Sequence, residues 1–368
     1  MLADAAVLEL SRRRYLHAGL LATVVSGSGC FAADDDEPGR LAVATDDAIG
    51  SVPVHELPAY AEWIPAESHD SSPAVYLTHV DWEAIDAMER DHEPDEEAVN
   101  LIREAPILGL PILGAFLSGL AVIAIMFYPF ARDLYAKEDD DEVSGVEVHR
   151  MTWSDDVITF HGDFDPEVFD DRYADDFDEV DEREGFTVYA GSASETEAMA
   201  YAVSSDVLVV GMLPGEEDDD TEAIVTAAVD RYLDESDRIV DEDAGRWLFE
   251  TTGDAQMSFG GWHVEELRDG IDSPADDEAG EAVPEMRADL EERTVFDDVE
   301  HLVNTLVFAV EDGAMTELEA RFAGIYPEDA VPTEETIEDE LIGAAEPSEI
   351  VIEDRRVYAA ATFEEVPD

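Results

Sequence analysis

Positive charge is what this sequence has least of. Lys137 is the only lysine among 368 residues, and lysine and arginine together number 20 against 94 aspartates and glutamates. The formal net charge at pH 7 is −74. Proteins that recognise nucleic acid need a basic surface to neutralise phosphates. The composition therefore argues against a nucleic-acid partner.

Acidity of this degree predicts a salty environment. Carboxylates would repel one another strongly in dilute buffer, whereas at molar salt the Debye length falls to roughly 3 Å. An acidic surface also keeps a protein soluble. The composition is typical of a halophile, in which surface charge is an adaptation to the solvent. Disorder is the other interpretation of high charge, but it requires low hydrophobicity, and 45% of these residues are apolar.

Cysteine is nearly absent as well. Cys30 is the only one, so the chain has no internal disulfide. It follows "SRRRYLHAGLLATVVSGSG", in which Arg12 and Arg13 precede an aromatic residue, a leucine and an apolar stretch too short to span a membrane. This stretch resembles the twin-arginine export signal, and the small residues before Cys30 resemble a lipobox, with Gly27 where leucine is usual. The N-terminal region thus resembles twin-arginine-signal lipoproteins of halophilic archaea, while the body resembles no characterised family.

That resemblance implies a cellular location. It implies a signal peptide over residues 1–29, a lipid attached to Cys30, and a location at the outer face of the cell membrane, followed by an acidic tether over residues 30–72. A buried, inert cysteine is the alternative for Cys30. Because one lipid chain gives only marginal membrane binding, a second anchor would help.

Long apolar runs are also scarce, and residues 106–130, "PILGLPILGAFLSGLAVIAIMFYPF", are the exception. A charge-free run of this length predicts a transmembrane helix, since about 20 residues span the hydrocarbon core. A buried central helix is the alternative. A single span would leave only residues 31–105 outside and put residues 140–368 inside. Folded export by the twin-arginine route argues the other way, so the side of residues 140–368 is unresolved.

The body predicts an α+β fold, with antiparallel sheets and helices on one face. Alternating apolar residues and turn signals divide it into several units. These units are a strand–helix unit at 73–105, an α+β block at 145–270, an acidic linker at 271–292 and a second α+β block at 293–368. An Asp-x-Glu pattern after a strand occurs near residue 81 and again near residue 165, which suggests a weak internal repeat.

Two histidines stand beside carboxylates at the ends of predicted strands. They are His79 with Asp81, and His161 with Asp163 and Asp165. An imidazole next to carboxylates can act as a general base or bind a divalent metal. Helix capping explains Asp81 and Asp165 equally well. His161 and Asp163 are therefore weak catalytic candidates.

The sequence lacks the common motifs for catalysis, phosphate binding and metal binding. It contains no phosphate-binding glycine loop, nucleophile elbow or paired-cysteine metal site, and its acidic runs lack the order of a calcium loop. We therefore expect neither a cofactor nor a metal site. Trp262 and His263 follow a glycine pair, where they line a pocket or form a turn packed on the core.

These features favour a non-enzymatic binding or interaction module held at the membrane, with a possible protein partner. One alternative is a hydrolase that uses metal or water around His161 and nearby carboxylates. Another is a membrane sensor with an inner domain.

Overall fold

A single antiparallel sheet of twelve strands organises the part of the chain that the structure describes. The computed structural model describes residues 52–68, 74–87, 105–112, 114–115, 146–155, 157–173, 177–194, 197–211, 221–264, 293–311, 314–343 and 345–363. The strand order across the sheet is β11-β12-β10-β9-β8-β1-β2-β3-β7-β6-β5-β4. The strands are β1 (Val75–Asp81), β2 (Val146–Ser154), β3 (Val157–Phe164), β4 (Phe177–Arg183), β5 (Phe186–Ser194), β6 (Glu197–Val203), β7 (Val207–Gly211), β8 (Met257–Trp262), β9 (His301–Glu311), β10 (Ala314–Ile325), β11 (Glu346–Glu353) and β12 (Arg356–Phe363).

Short helices and turns connect these strands. The α-helices are α1 (Trp82–Asp86), α2 (Pro166–Tyr173), α3 (Thr221–Asp234), α4 (Asp243–Thr252) and α5 (Glu334–Ile337), and residues 106–112 are also helical. Single 3-10 turns occur at Ala59–Trp63, Ile239–Asp241 and Thr294–Phe296, and a π-helical turn, Glu338–Ile342, extends α5.

Helices cover both faces of the sheet. On the first face, Val80 of β1 belongs to a core that includes Ile85 of α1 and Phe169 of α2. On the second face, Leu77 of β1 packs in a cluster with Phe249 of α4, and α3 packs on a neighbouring cluster. The α+β character and antiparallel pairing are confirmed, but the expectation of helices on one face is wrong. The physical reason is that β7 and β8 are buried along their whole length, which requires cover on both sides.

β1 lies in the middle of the sheet, between β8 and β2. Leu77 pairs with Ser154 on one side and with Gly260 on the other. Strands from the predicted strand–helix unit and from both later blocks therefore share one sheet. Strand pairing requires the paired segments to lie in one compartment. Among the described residues, β1 and the later strands therefore lie in one compartment, while the relation of residues 31–105 and 140–368 to a membrane stays a prediction.

The described beginning of the apolar segment packs inside the protein. Ile107, Leu108 and Leu110 are fully buried in the core of the first face. A Cβ placed on Gly114 would lie 3.0 Å from the Cβ of Phe259, so the segment closely approaches β8. Residue 113 and residues 116–130 lie outside the described residues. Among the described helices, none has the length and apolar character to cross a membrane.

The two predicted strand–helix units have the same local geometry. β1 and β3 both pair antiparallel with β2, so they run in the same direction. Asp81 caps α1 by accepting from the Ala84 N–H at 2.9 Å, and Asp165 accepts from the Glu167 N–H at 3.0 Å before α2. Capping satisfies backbone donors at a helix start, which confirms these two predictions.

Other sequence predictions fall on residues that the structure does not describe. Arg12, Arg13 and Cys30 lie outside the described residues, as do residues 271–292. The export signal, the lipid attachment and the domain boundaries therefore stay predictions.

Candidate functional cleft

The three central strands place a polar strip on the second face of the sheet. His79 of β1 lies opposite Thr152 of β2. Arg150 of β2 lies opposite Asp81 on one side and His161 of β3 on the other. Directly paired residues in an antiparallel sheet project to the same face, so these side chains lie together between apolar clusters.

A small cleft opens over this strip. Its volume is about 210 Å³. The residues that line it come from the 3-10 turn at Ala59–Trp63, from β1 to β3, from α1 and from the turn that follows α4. They are Ala59, Tyr60, His79, Glu83, His149, Arg150, His161, Gly162 and Asp254. The cleft thus brings together His79 and His161, which the sequence identified separately.

His79 lies at the buried end of the cleft and is only 2% exposed. Its Nδ1 lies 2.9 Å from the hydroxyl of Thr152, so Nε2 is the ring nitrogen left for a ligand. Tyr60 stacks on the ring, and the Tyr60 hydroxyl lies 2.8 Å from that of Ser258. Burial lowers the pKa of His79 well below 6.5, and His161 and Arg150 lower it further. His79 is therefore neutral at pH 7.

His161 is the second neutral imidazole of the cleft. Its Nε2 is buried and has no hydrogen-bond partner among the described residues. The ring meets the edge of Trp63 at 6.2 Å between centroids. Burial, and to a lesser extent the charge of Arg150, lower the pKa of His161 to about 4. A buried polar atom without a partner costs about 1–3 kcal/mol, and such atoms in native proteins commonly indicate a bound water, ion or ligand.

Arg150 supplies positive charge to the cleft. Its Nε donates to Asp81 Oδ2 at 3.1 Å, and the arginine side chain is 46% exposed. A guanidinium has five N–H donors, so this bond leaves others for a ligand or water. The strip therefore combines one cation with two neutral rings.

The rim of the cleft carries a mixed group of Glu147, His149 and Asp163. One ligand atom from each lies within 4.8 Å of the others. His149 Nε2 is 3.5 Å from Asp163 Oδ2, and His149 Nδ1 is 3.6 Å from Glu83 Oε2. A bulge in β2 between Val148 and Arg150 shapes this rim.

Gly162 makes that bulge possible. A Cβ on this residue would lie 1.8 Å from the backbone oxygen of Glu147, which no side chain permits. Glycine allows the two backbones to approach this closely. The close approach brings β2 and β3 together where their residues form the rim.

The remaining sequence candidates lie elsewhere. Asp163 contacts His149 at the rim, while Asp165 caps α2. Trp262 stacks on His301 with centroids 3.9 Å apart, and the His263 N–H donates to His301 Nδ1. Trp262 and His263 therefore belong to a separate aromatic cluster and do not line the cleft.

The residues of the cleft indicate which ligands it can bind. Neutral imidazoles, a guanidinium and nearby carboxylates suit a small polar ligand or a cation. No family model matches the sequence, and neither the curated proteins nor the solved structures include a match to this chain.

Proposed function

We propose that this protein is a membrane-anchored envelope protein of a halophile and acts as a non-enzymatic binding module. The signal containing Arg12 and Arg13 directs export, and a lipid on Cys30 holds the chain at the outer face of the cell membrane. The ligand occupies the cleft. The observation that carries this proposal is the buried Nε2 of His161, which has no hydrogen-bond partner among the described residues, in a cleft that His79 also lines.

The size of the cleft limits the ligand. Sites for drug-sized molecules have volumes of about 300–1,000 Å³. At about 210 Å³, this cleft fits an ion, or a metabolite with a few polar atoms. A protein partner would contact the surface around the cleft instead of filling it.

The residues that line the cleft argue against hydrolysis through a covalent nucleophile. No serine, threonine or cysteine nucleophile stands among its described lining residues. A general base works best with a pKa near the working pH. Burial moves the pKa of His79 away from that range, so its ring serves better to hold a ligand than to accept a proton.

Thermal-shift measurements on the full chain in about 3 M KCl test this proposal. The probes are small polar solutes of three classes: amino acids, short carboxylic acids and polyols. We expect one class to raise Tm by about 2 °C or more, because a ligand that binds only the folded state stabilises it.

The variant His161→Phe keeps a ring against Trp63 but removes Nε2, so it should abolish the Tm shift. His301→Phe is the matched control, since it makes the same change in a buried, stacked histidine that does not line the cleft. A panel without any Tm shift, or a shift that persists in His161→Phe, would contradict the proposal.

A further inference from the structure

We infer that the rim of the cleft is a site for a divalent transition-metal ion, bound by Glu147, His149 and Asp163. This inference rests on the proposed binding function and names a ligand class for the cleft.

Two carboxylates face each other directly across the rim. Glu147 of β2 and Asp163 of β3 are cross-strand partners. Like charges in this position destabilise a sheet. A cation between them would reverse the sign of that interaction, because each carboxylate would then face a positive charge.

The distances suit a metal ion with a small shift of side chains. Bonds of about 2.1 Å in a tetrahedral site place neighbouring ligand atoms about 3.4 Å apart. His149 Nε2 and Asp163 Oδ2 are already 3.5 Å apart. The most distant pair among the three ligand atoms is within 4.8 Å, and Glu147 is exposed, so its side chain can rotate to close the group.

The other nitrogen of His149 points to the same conclusion. Its Nδ1 lies 3.6 Å from Glu83 Oε2 on α1. Histidines that bind metal commonly present the other ring N–H to a carboxylate, which fixes the tautomer and the ring orientation. Glu83 is therefore a positioning residue. It favours the proton on Nδ1 and leaves the lone pair of Nε2 directed at Asp163.

A metal ion at the rim would have room for a further ligand from the cleft. Three protein ligands leave a fourth position on the ion for water or a small ligand. The buried Nε2 of His161 has no partner among the described residues, and His161 and His149 line one cleft.

The histidine determines the class of metal. At molar salt, sodium or potassium ions crowd every carboxylate, so a site made only of carboxylates discriminates poorly. Imidazole suits zinc, nickel, cobalt and copper, whereas magnesium and calcium prefer oxygen ligands. We therefore expect a preference for transition metals over magnesium.

Calorimetric titration with nickel chloride tests the site. The protein is the full chain with Cys30→Ser, which removes the thiol as a competing ligand, in about 3 M KCl. We expect one saturable site per chain that a tenfold excess of magnesium does not displace. Visible absorption of the cobalt(II) form should show a nitrogen-containing, low-coordinate site.

Variants separate the rim from the rest of the acidic surface. His149→Gln should weaken nickel binding at least about 100-fold, and Glu83→Gln about tenfold. Asp163→Asn should weaken it more than Asp178→Asn, the matched control on the exposed face of β4. Circular dichroism verifies that each variant folds.

Two results would overturn the metal site: no saturable nickel binding, or equal nickel affinity in the parent chain and in His149→Gln. Neither result touches the proposed binding function, because that function is tested by organic solutes and by His161→Phe. Conversely, nickel binding that depends on His149 would support the rim site even if no organic solute binds.

Discussion

The ring of Tyr60 lies flat on the ring of His79, with centroids 4.0 Å apart and planes inclined by 13°. The Tyr60 hydroxyl reaches Ser258 on the next strand. Tyr60 belongs to a 3-10 turn, while His79 and Ser258 belong to neighbouring strands of the sheet. Tyr60 therefore links the 3-10 turn to two central strands and lines the cleft.

Removing parts of Tyr60 should separate these contributions. Tyr60→Phe keeps the stack but leaves the fully buried Ser258 hydroxyl without this partner, which should cost about 1–2 kcal/mol of unfolding free energy. Tyr60→Ala also leaves a cavity and should cost about 3–5 kcal/mol. Chemical denaturation at molar salt measures both values. Val54→Ala is the control, since Val54 is 79% exposed. If the Tyr60 variants lose no more unfolding free energy than this control, Tyr60 does not stabilise the attachment of the turn to the sheet.

Gly162 should tolerate no side chain. In Gly162→Ala the new Cβ would meet the Glu147 backbone oxygen, and the two strands would have to separate at the bulge. We expect a loss of about 3 kcal/mol or more in unfolding free energy. Gly185→Ala is the comparison. Gly185 has a φ of +90° but open space around its Cβ position, so strain alone should cost about 1 kcal/mol. Equal losses in the two variants would show that the contact with β2 is unimportant.

Local signals explain which parts of the fold the sequence predicts. β1 and β3 are recognisable because apolar residues alternate and an aspartate cap follows. β2 is harder, because Val146 and Val148 alternate in one phase, and Met151 and Trp153 alternate in the other. The bulge between residues 148 and 150 inserts one extra residue, which shifts the alternation of inward and outward side chains. All four side chains therefore pack on the first face.

Long-range pairing accounts for the rest. β1 pairs with β8 nearly half the chain away, and no local pattern specifies that neighbour. The sequence identified His79 and His161 but not the intervening strand. It therefore missed His149 and Arg150, which join them into one cleft, and it missed Tyr60, whose role depends on tertiary stacking.

Buried neutral histidines predict a loss of stability in mild acid. The pKa of His161 and of His301 is lowered to about 4, mainly by burial, and that of His79 is also lowered. In the unfolded chain these rings have a pKa of about 6.5. As pH falls below that value, the unfolded state takes up protons that the folded state does not, so stability decreases.

The expected loss between about pH 7 and pH 5.5 is about 1 kcal/mol for each ring. Thermal melts at constant molar salt measure it. Arg150 beside His161 and His263 beside His301 add to the effect, while Asp206 opposes it at His161. His301→Phe should flatten this part of the pH profile by about one ring's share. A stability that is constant or rises as pH falls through this window would contradict the assignment of neutral rings.

The fold should require salt. With a net charge of −74, self-repulsion at about 0.1 M salt, where the Debye length is roughly 10 Å, should remove several of the roughly 5–15 kcal/mol typical of a domain. Circular dichroism should show loss of strand signal on dialysis from about 3 M to about 0.1 M KCl. Sucrose at the lower salt is the control, because it strengthens apolar burial without screening charge. A spectrum that does not change with salt would rule out the repulsion.

Retention at the membrane should depend on Cys30. Ile107, Leu108 and Leu110 pack against the sheet, so these apolar residues are occupied within the fold and do not contact lipid. If the chain is exported and lipidated as we propose, the lipid on Cys30 is then the anchor to test. In a halophilic host, Cys30→Ser should move most of the protein from the membrane fraction to the medium. Replacing Arg12 and Arg13 with lysine is the companion variant, and it should leave unprocessed precursor inside the cell. If Cys30→Ser stays with the membranes after export, another segment anchors the protein and the lipid is dispensable.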